Sequence, residues 1–199
     1  AVILGLLLGA QRGWGLHSVG RHVTDLHVAW GLLGWVGLLV VGVAYQVIPM
    51  FQMTPEFPRR LTRWLAPVLF AALAVWSLSI IFTLRLTLPA FIAPLLATLP
   101  VLGYALFAVI ILRLQQRRRR RLPDVTVLFW RIASLSIVTA AVLWCAGPLW
   151  PAAYAGHRAL LWWVLIIVGF GVSAINGMLY KIVPFLVWLH LQGGGGRGQ

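Results

Sequence analysis

The sequence predicts an all-α, polytopic transmembrane bundle of five full spans and a partial N-terminal span, with a parallel four-helix internal repeat. Three observations predict it. First, the 199 residues are 61% hydrophobic and 10% charged, with only three acids, where a soluble domain carries roughly a quarter charged residues. Mean hydropathy is +0.94. Second, the apolar runs are long enough to cross about 30 Å of hydrocarbon, and arginine and proline clusters separate them. Third, one signature occurs twice, 135 residues apart: GWVGLLVVGVAYQVIP from Gly34 to Pro49 and GFGVSAINGMLYKIVP from Gly169 to Pro184. Both copies read glycine, aromatic, six residues, glycine, two, tyrosine, three, proline. His22 and His157 fall at the same offset, twenty residues before Gly42 and Gly177. A period this long marks a duplicated unit.

Residues 1–10 read as the end of an apolar helix. No charged segment or small-residue cleavage site accompanies them, so they are not a signal peptide. The chain is expected to be a fragment, cut at both ends, with a single transmembrane domain whose repeat units start near residues 16 and 151. A polar link, 11–23, precedes the first full span at 24–51. Pro55 and Pro58 end it, and Arg59, Arg60 and Arg63 follow. The second span is 64–83 and the third 88–114, with Pro89, Pro94 and Pro100 in its first half. Such prolines are tolerated where neighbours satisfy the freed carbonyls. The fourth span is 124–149. The fifth, 157–191, exceeds the ~20 residues a crossing needs, so it tilts, kinks or leaves the bilayer. Gly193 to Gly196 read as a linker.

Arginine placement orients the bundle. One side holds Arg59, Arg60, Arg63, Arg113, Arg117 to Arg121 and Arg197. The other holds Arg12, Arg21, Arg85 and Arg158. The richer side, with loops 52–63 and 113–123, is expected in the cytoplasm of a bacterial inner membrane. Both copies then enter from outside, as parallel copies do, unlike inverted-repeat transporters. The net charge of +13 belongs to these loops. The partners expected are the lipid bilayer and other membrane subunits, not nucleic acid. A lone Cys145 excludes a disulfide within the chain and cysteine-based metal clusters.

Parallel copies four helices apart, together with LHVAWGLLGWVGLLVVGVAYQVIPMF, resemble the haem-copper oxidase subunit I superfamily. The segment is also similar to the histidine-bearing helices of C-type oxidases and of NnrS-type nitric-oxide-response haem proteins. The resemblance implies a twelve-helix scaffold, haem b, and a role in respiratory electron transfer or nitric-oxide response. It places His27, seven residues before Gly34, where the first histidine of the family's pair stands. The second would fall at Ala29, and the equivalent of His27 in the other copy is Trp162. The adjacent His-His pair of the copper site is absent, so copper and oxygen reduction are not expected, and no catalytic residue is assigned.

His27 is the leading candidate ligand, because ionisable groups inside membranes are costly and functional, and imidazole is a common axial donor to haem iron. Gly31 and Gly34, with Gly37, recur at three-residue intervals and would admit a flat macrocycle or a second helix. His22 is a further candidate on the same segment. His22 and His157, matched across the repeat, are candidate outer-face metal ligands or plain interfacial histidines; zinc or copper needs three or four donors. Asp25 either orients a histidine or caps the span. Gln46, Asn176 and Lys181 form a candidate polar cluster, with Lys181 alternatively snorkelling to headgroups. Arg131 snorkels in the same way. Two further functions stand beside the haem protein: a metal-free assembly or scaffold relative, and a small-molecule or ion transporter lined by Lys181, Asn176 and Arg131.

Overall fold

A chain this apolar has no water with which to satisfy its backbone in hydrocarbon, so helices close their own hydrogen bonds. The computed structural model describes residues 1–13, 21–86, 89, 91–119, 124–149 and 155–194, and all its regular elements are helical. They are α1 (Val2–Gly13), α2 (Arg21–Ala29), a π-helical segment (Trp30–Gly37), α3 (Leu38–Gln52), α4 (Arg59–Leu86), α5 (Ile92–Gln116) and α6 (Val125–Cys145). A short 3₁₀ turn (Gly147–Leu149), α7 (Ala155–Val164), a second π segment (Leu165–Val172) and α8 (Ser173–Gly194) complete the order. Five helical stretches are long and apolar enough to cross a membrane: His22–Gln52, Arg59–Thr83, Ile92–Gln116, Val125–Cys145 and Gly156–Gln192.

Each of the five full spans expected has its membrane-length helical stretch, with shifted edges. Arg59, Arg60 and Arg63 belong to the first turns of α4, because the Pro58 carbonyl accepts from the N–H groups of Leu61 and Thr62 at 2.9 and 3.2 Å. Pro89 precedes α5, and Pro100 lies inside it. The fourth span ends at Cys145. Its start is fixed by Asp124, whose Oδ1 accepts from the Val127 N–H at 3.1 Å, a side-chain cap on an orphan donor. Residues 14–20, 87–88, 90, 120–123, 150–154 and 195–199 lie outside the described residues, and with them His17, Arg120, Arg121, Arg197, Gly195 and Gly196, whereas Gly193 and Gly194, expected in a linker, continue α8.

The chain forms two compact units. The first comprises Ala1–Gly42 and Pro58–Tyr104. In it α1 packs on α2, and α4 packs on α2 and the first π segment. Its interior is aliphatic: Leu26, Ala29, Leu33, Val41, Leu69 and Leu73 are buried. Gly103 lets α5 approach α4, since a Cβ there would lie 2.6 Å from Leu69 Cδ2. The second unit comprises Val43–Phe57 and Ala105–Gln199. There α6 is the central helix, lying against α7, the second π segment and α8. Its buried face, Thr126, Trp130, Ala133, Ile137 and Ala140, recurs at helical spacing. The residues on the opposite face, including Leu128, Ile132, Leu135 and Val142, are exposed, as a lipid-facing stripe is.

Two of the membrane-length stretches, His22–Gln52 and Gly156–Gln192, each change pitch once, and at the same register. Trp30 plus 135 is residue 165, and Gly37 plus 135 is residue 172, so the two eight-residue π segments coincide with the two sequence copies. A π turn pairs each carbonyl with the N–H five residues on, and a carbonyl oxygen has a second lone pair to offer. At equivalent positions both recruit a hydroxyl. The Leu33 carbonyl accepts from Tyr104, and the Val168 carbonyl accepts from Ser173 at 3.3 Å.

Candidate functional site

His27 lies on the last turns of α2, half-buried. Its Nδ1 is 3.0 Å from the Ala1 carbonyl oxygen. A carbonyl only accepts, so Nδ1 carries a proton, and it is Nε2 that holds the lone pair of the neutral ring. The same oxygen accepts the Gly5 N–H at 2.9 Å, using both of its lone pairs. Gly5 also makes the room: a Cβ there would stand 2.9 Å from His27 Cε1. Gly5 is a site residue that sequence reasoning missed, for it looked like one more small residue in an apolar run.

His22 does not join His27. His22 sits five residues earlier on the same α-helix, which turns it about 140° away, and it is exposed. His157 belongs to the second unit and is exposed. Among the described residues no three His, Cys, Asp or Glu side chains assemble as a metal site. Gly31 faces open space, with nothing within 4 Å of a Cβ added there. Gly34 does not: its bare backbone is covered by the Trp30 indole, with Cε3 at 2.7 Å from that position. Trp30 is held in turn. Its Nε1 donates to Ser77 Oγ at 2.8 Å, Ser77 donates to the Leu73 carbonyl at 2.7 Å, and Phe70 meets the indole edge-on at 5.3 Å. Within the first unit, then, His27 and the open space at Gly31 are not shared with His22, and Trp30 fills the space beside Gly34.

At the equivalent position of the second copy, the Trp162 Nε1 donates to the Ala140 carbonyl at 3.0 Å. Each ring N–H thus ties its helix to a carbonyl of a neighbouring helix. Asp25 is exposed in the second turn of α2, past the capping position.

The expected cluster of Gln46, Asn176 and Lys181 does not form. Gln46 and Asn176 are exposed, and the Asn176 amide donates to the Val172 carbonyl of its own helix at 3.0 Å. Lys181 pairs with Asp124 Oδ2 at 3.1 Å and so ties α8 to the start of α6. The buried polar pair of the second unit is instead Gln52 and Gln115. Gln115 Nε2 donates to Gln52 Oε1 at 2.8 Å, and the two side chains are 1% and 3% exposed, respectively. Nearby in sequence, Phe57 returns into the unit, edge-on to Tyr45 at 5.1 Å and stacked on Phe107 at 6.3 Å. No protein family, curated protein or solved structure compared with the chain matches it.

Proposed function

We propose that this multi-pass membrane protein is built on a scaffold like that of haem-copper oxidase subunit I, and that His27 supplies one axial bond to a haem b serving electron transfer or nitric-oxide response. The observation that carries the reading is the His27 tautomer. A backbone carbonyl holds Nδ1–H, the outer-shell arrangement that orients a ligating imidazole and raises its basicity. The register-matched π segments support the duplicated scaffold. A haem would supply one-electron chemistry at iron. His27 would orient and bind it, and Gly31 would leave space beside it. The test is heterologous expression with added haem precursor. A Soret band that survives purification and is lost in His27→Ala, but kept in His22→Ala, supports the reading. A colourless protein from haem-replete cells overturns it.

A second reading is a metal-free scaffold relative, favoured by the parallel between His27 and Trp162. A ring N–H at this position ties helices in both copies, and tryptophan cannot bind iron. On that reading His27→Gln, which keeps an N–H donor, preserves stability in a protein that never carries haem. A transporter has less behind it, because Lys181 is paired and Asn176 and Gln46 face outward.

A further inference from the structure

We propose that the Gln52–Gln115 pair binds one internal water molecule, sealed from bulk solvent where α3 and α5 end. The proposal is independent of haem. Two side-chain amides that meet squarely make two hydrogen bonds, since each carries an NH2 donor and a carbonyl acceptor. This pair makes one. Gln115 Nε2 donates to Gln52 Oε1 at 2.8 Å, while Gln52 Nε2 and Gln115 Oε1 are buried with no protein partner. Exchanging oxygen and nitrogen in both amides leaves the same remainder, one NH2 and one carbonyl oxygen. The chain closes over them just beyond the pair. Met53, the next residue, turns at φ 53°. Its carbonyl accepts from the N–H of Arg119, a turn past Gln115, at 3.1 Å, and Phe57 packs back on Tyr45 and Phe107.

The leftover chemistry selects the occupant. The buried hydroxyl of Ser134 also lacks a partner, but a hydroxyl can rotate onto a carbonyl of its own helix. A glutamine amide locked to another helix has no such recourse, and leaving it unpaired in an apolar interior is costly. Both leftover groups are neutral, so an ion would find no charge there to replace its hydration. Oxygen and nitrogen of one amide are about 2.2 Å apart. The leftover atoms stand at the outer ends of two amides joined at 2.8 Å, and so lie within about 7 Å of each other. One water oxygen, with bonds of about 2.9 Å on either side, bridges about 6 Å. It accepts from Gln52 Nε2 and donates to Gln115 Oε1, the paired donor and acceptor that hold internal waters.

The test is water-edited solid-state NMR on the whole chain in lipid bilayers, with glutamine and isoleucine labelled with nitrogen-15. Loss of one side-chain resonance in Gln52→Leu assigns the Gln52 amide. In wild type that amide is expected to take up polarisation from water severalfold faster than the backbone N–H of Ile48, one turn earlier and fully buried. Gln115→Leu removes the acceptor and should bring the Gln52 rate down to that of Ile48, with the Ile137 and Ile166 resonances unmoved as the sign of an intact fold. The wild-type rate decides alone if that variant fails to fold. A Gln52 amide that gains polarisation no faster than Ile48 overturns the proposal. So does one that gains it from lipid chains and not from water, or one whose rate is unchanged in a folded Gln115→Leu variant.

Discussion

Tyr104→Phe isolates the hydrogen bond that fastens α5 to the first π segment. Tyr104 is 2% exposed and donates to the Leu33 carbonyl. Removing only the hydroxyl takes that donor from the carbonyl in an apolar interior. Such bonds between membrane helices average about 0.6 kcal/mol and reach about 1.7; an orphaned acceptor in a packed core costs about 1–3. A loss of about 1–1.5 kcal/mol is expected. Gly37→Ala probes the same contact from the other side. Its Cβ would lie against the phenol oxygen and 2.9 Å from Tyr104 Cζ, an overpacking cost of about 1–3 kcal/mol. In the double variant the oxygen is gone but Cζ is still close, so part of the steric cost should vanish. The two changes should therefore be less than additive, by roughly 0.5–1 kcal/mol. The assay is reversible unfolding in mixed micelles by rising dodecyl sulfate, followed by tryptophan fluorescence. A Tyr104→Phe variant as stable as wild type, or strict additivity, refutes the reasoning.

Gly5→Val should push the His27 ring off α1 and speed amide exchange in α1 and α2, leaving α6 to α8 unchanged by hydrogen-exchange mass spectrometry. Gln115→Leu should cost about 1–3 kcal/mol because the buried Gln52 amide loses its partner, whereas Gln52→Leu/Gln115→Leu should cost less than the single change, again read by detergent unfolding. Lys181→Met should cost at most about 1 kcal/mol, and less in high salt, since the pair is part-exposed. Asp124→Ala should cost about 1 kcal/mol more than Lys181→Met, because it also removes the α6 cap.

The class of fold was legible because hydrocarbon permits so few solutions: apolar length and arginine placement suffice to find five spans. Asp124 was legible as the start of a span, since a capping residue acts within its own turn. The π segments were not. Trp30–Gly37 and Leu165–Val172 have no residue that demands a wide turn, and the hydroxyls of Tyr104 and Ser173 that donate to their carbonyls carry no sequence signal of it. His27 stood out as a histidine in an apolar run, but its proton position comes from Ala1, twenty-six residues away. The Lys181–Asp124 pair was missed for a related reason. Snorkelling is a local default, and only packing of α8 on α6 supplies the acid. Gln52 and Gln115 carried no motif and drew no notice until burial paired them.

The pitch change has a consequence for anyone altering these helices. Helical-wheel reasoning runs out of phase across residues 30–37 and 165–172, so residues before and after each segment must be placed on separate wheels. The wide turn also gives the helix slack in its numbering. Removing one residue from Trp30–Gly37 would let that stretch relax to an ordinary α-helix without breaking its backbone pairing. The cost would appear as phase, since one residue is worth about 100°: His27 would turn away from Ala1, and the damage would be to alignment while helix content stayed the same.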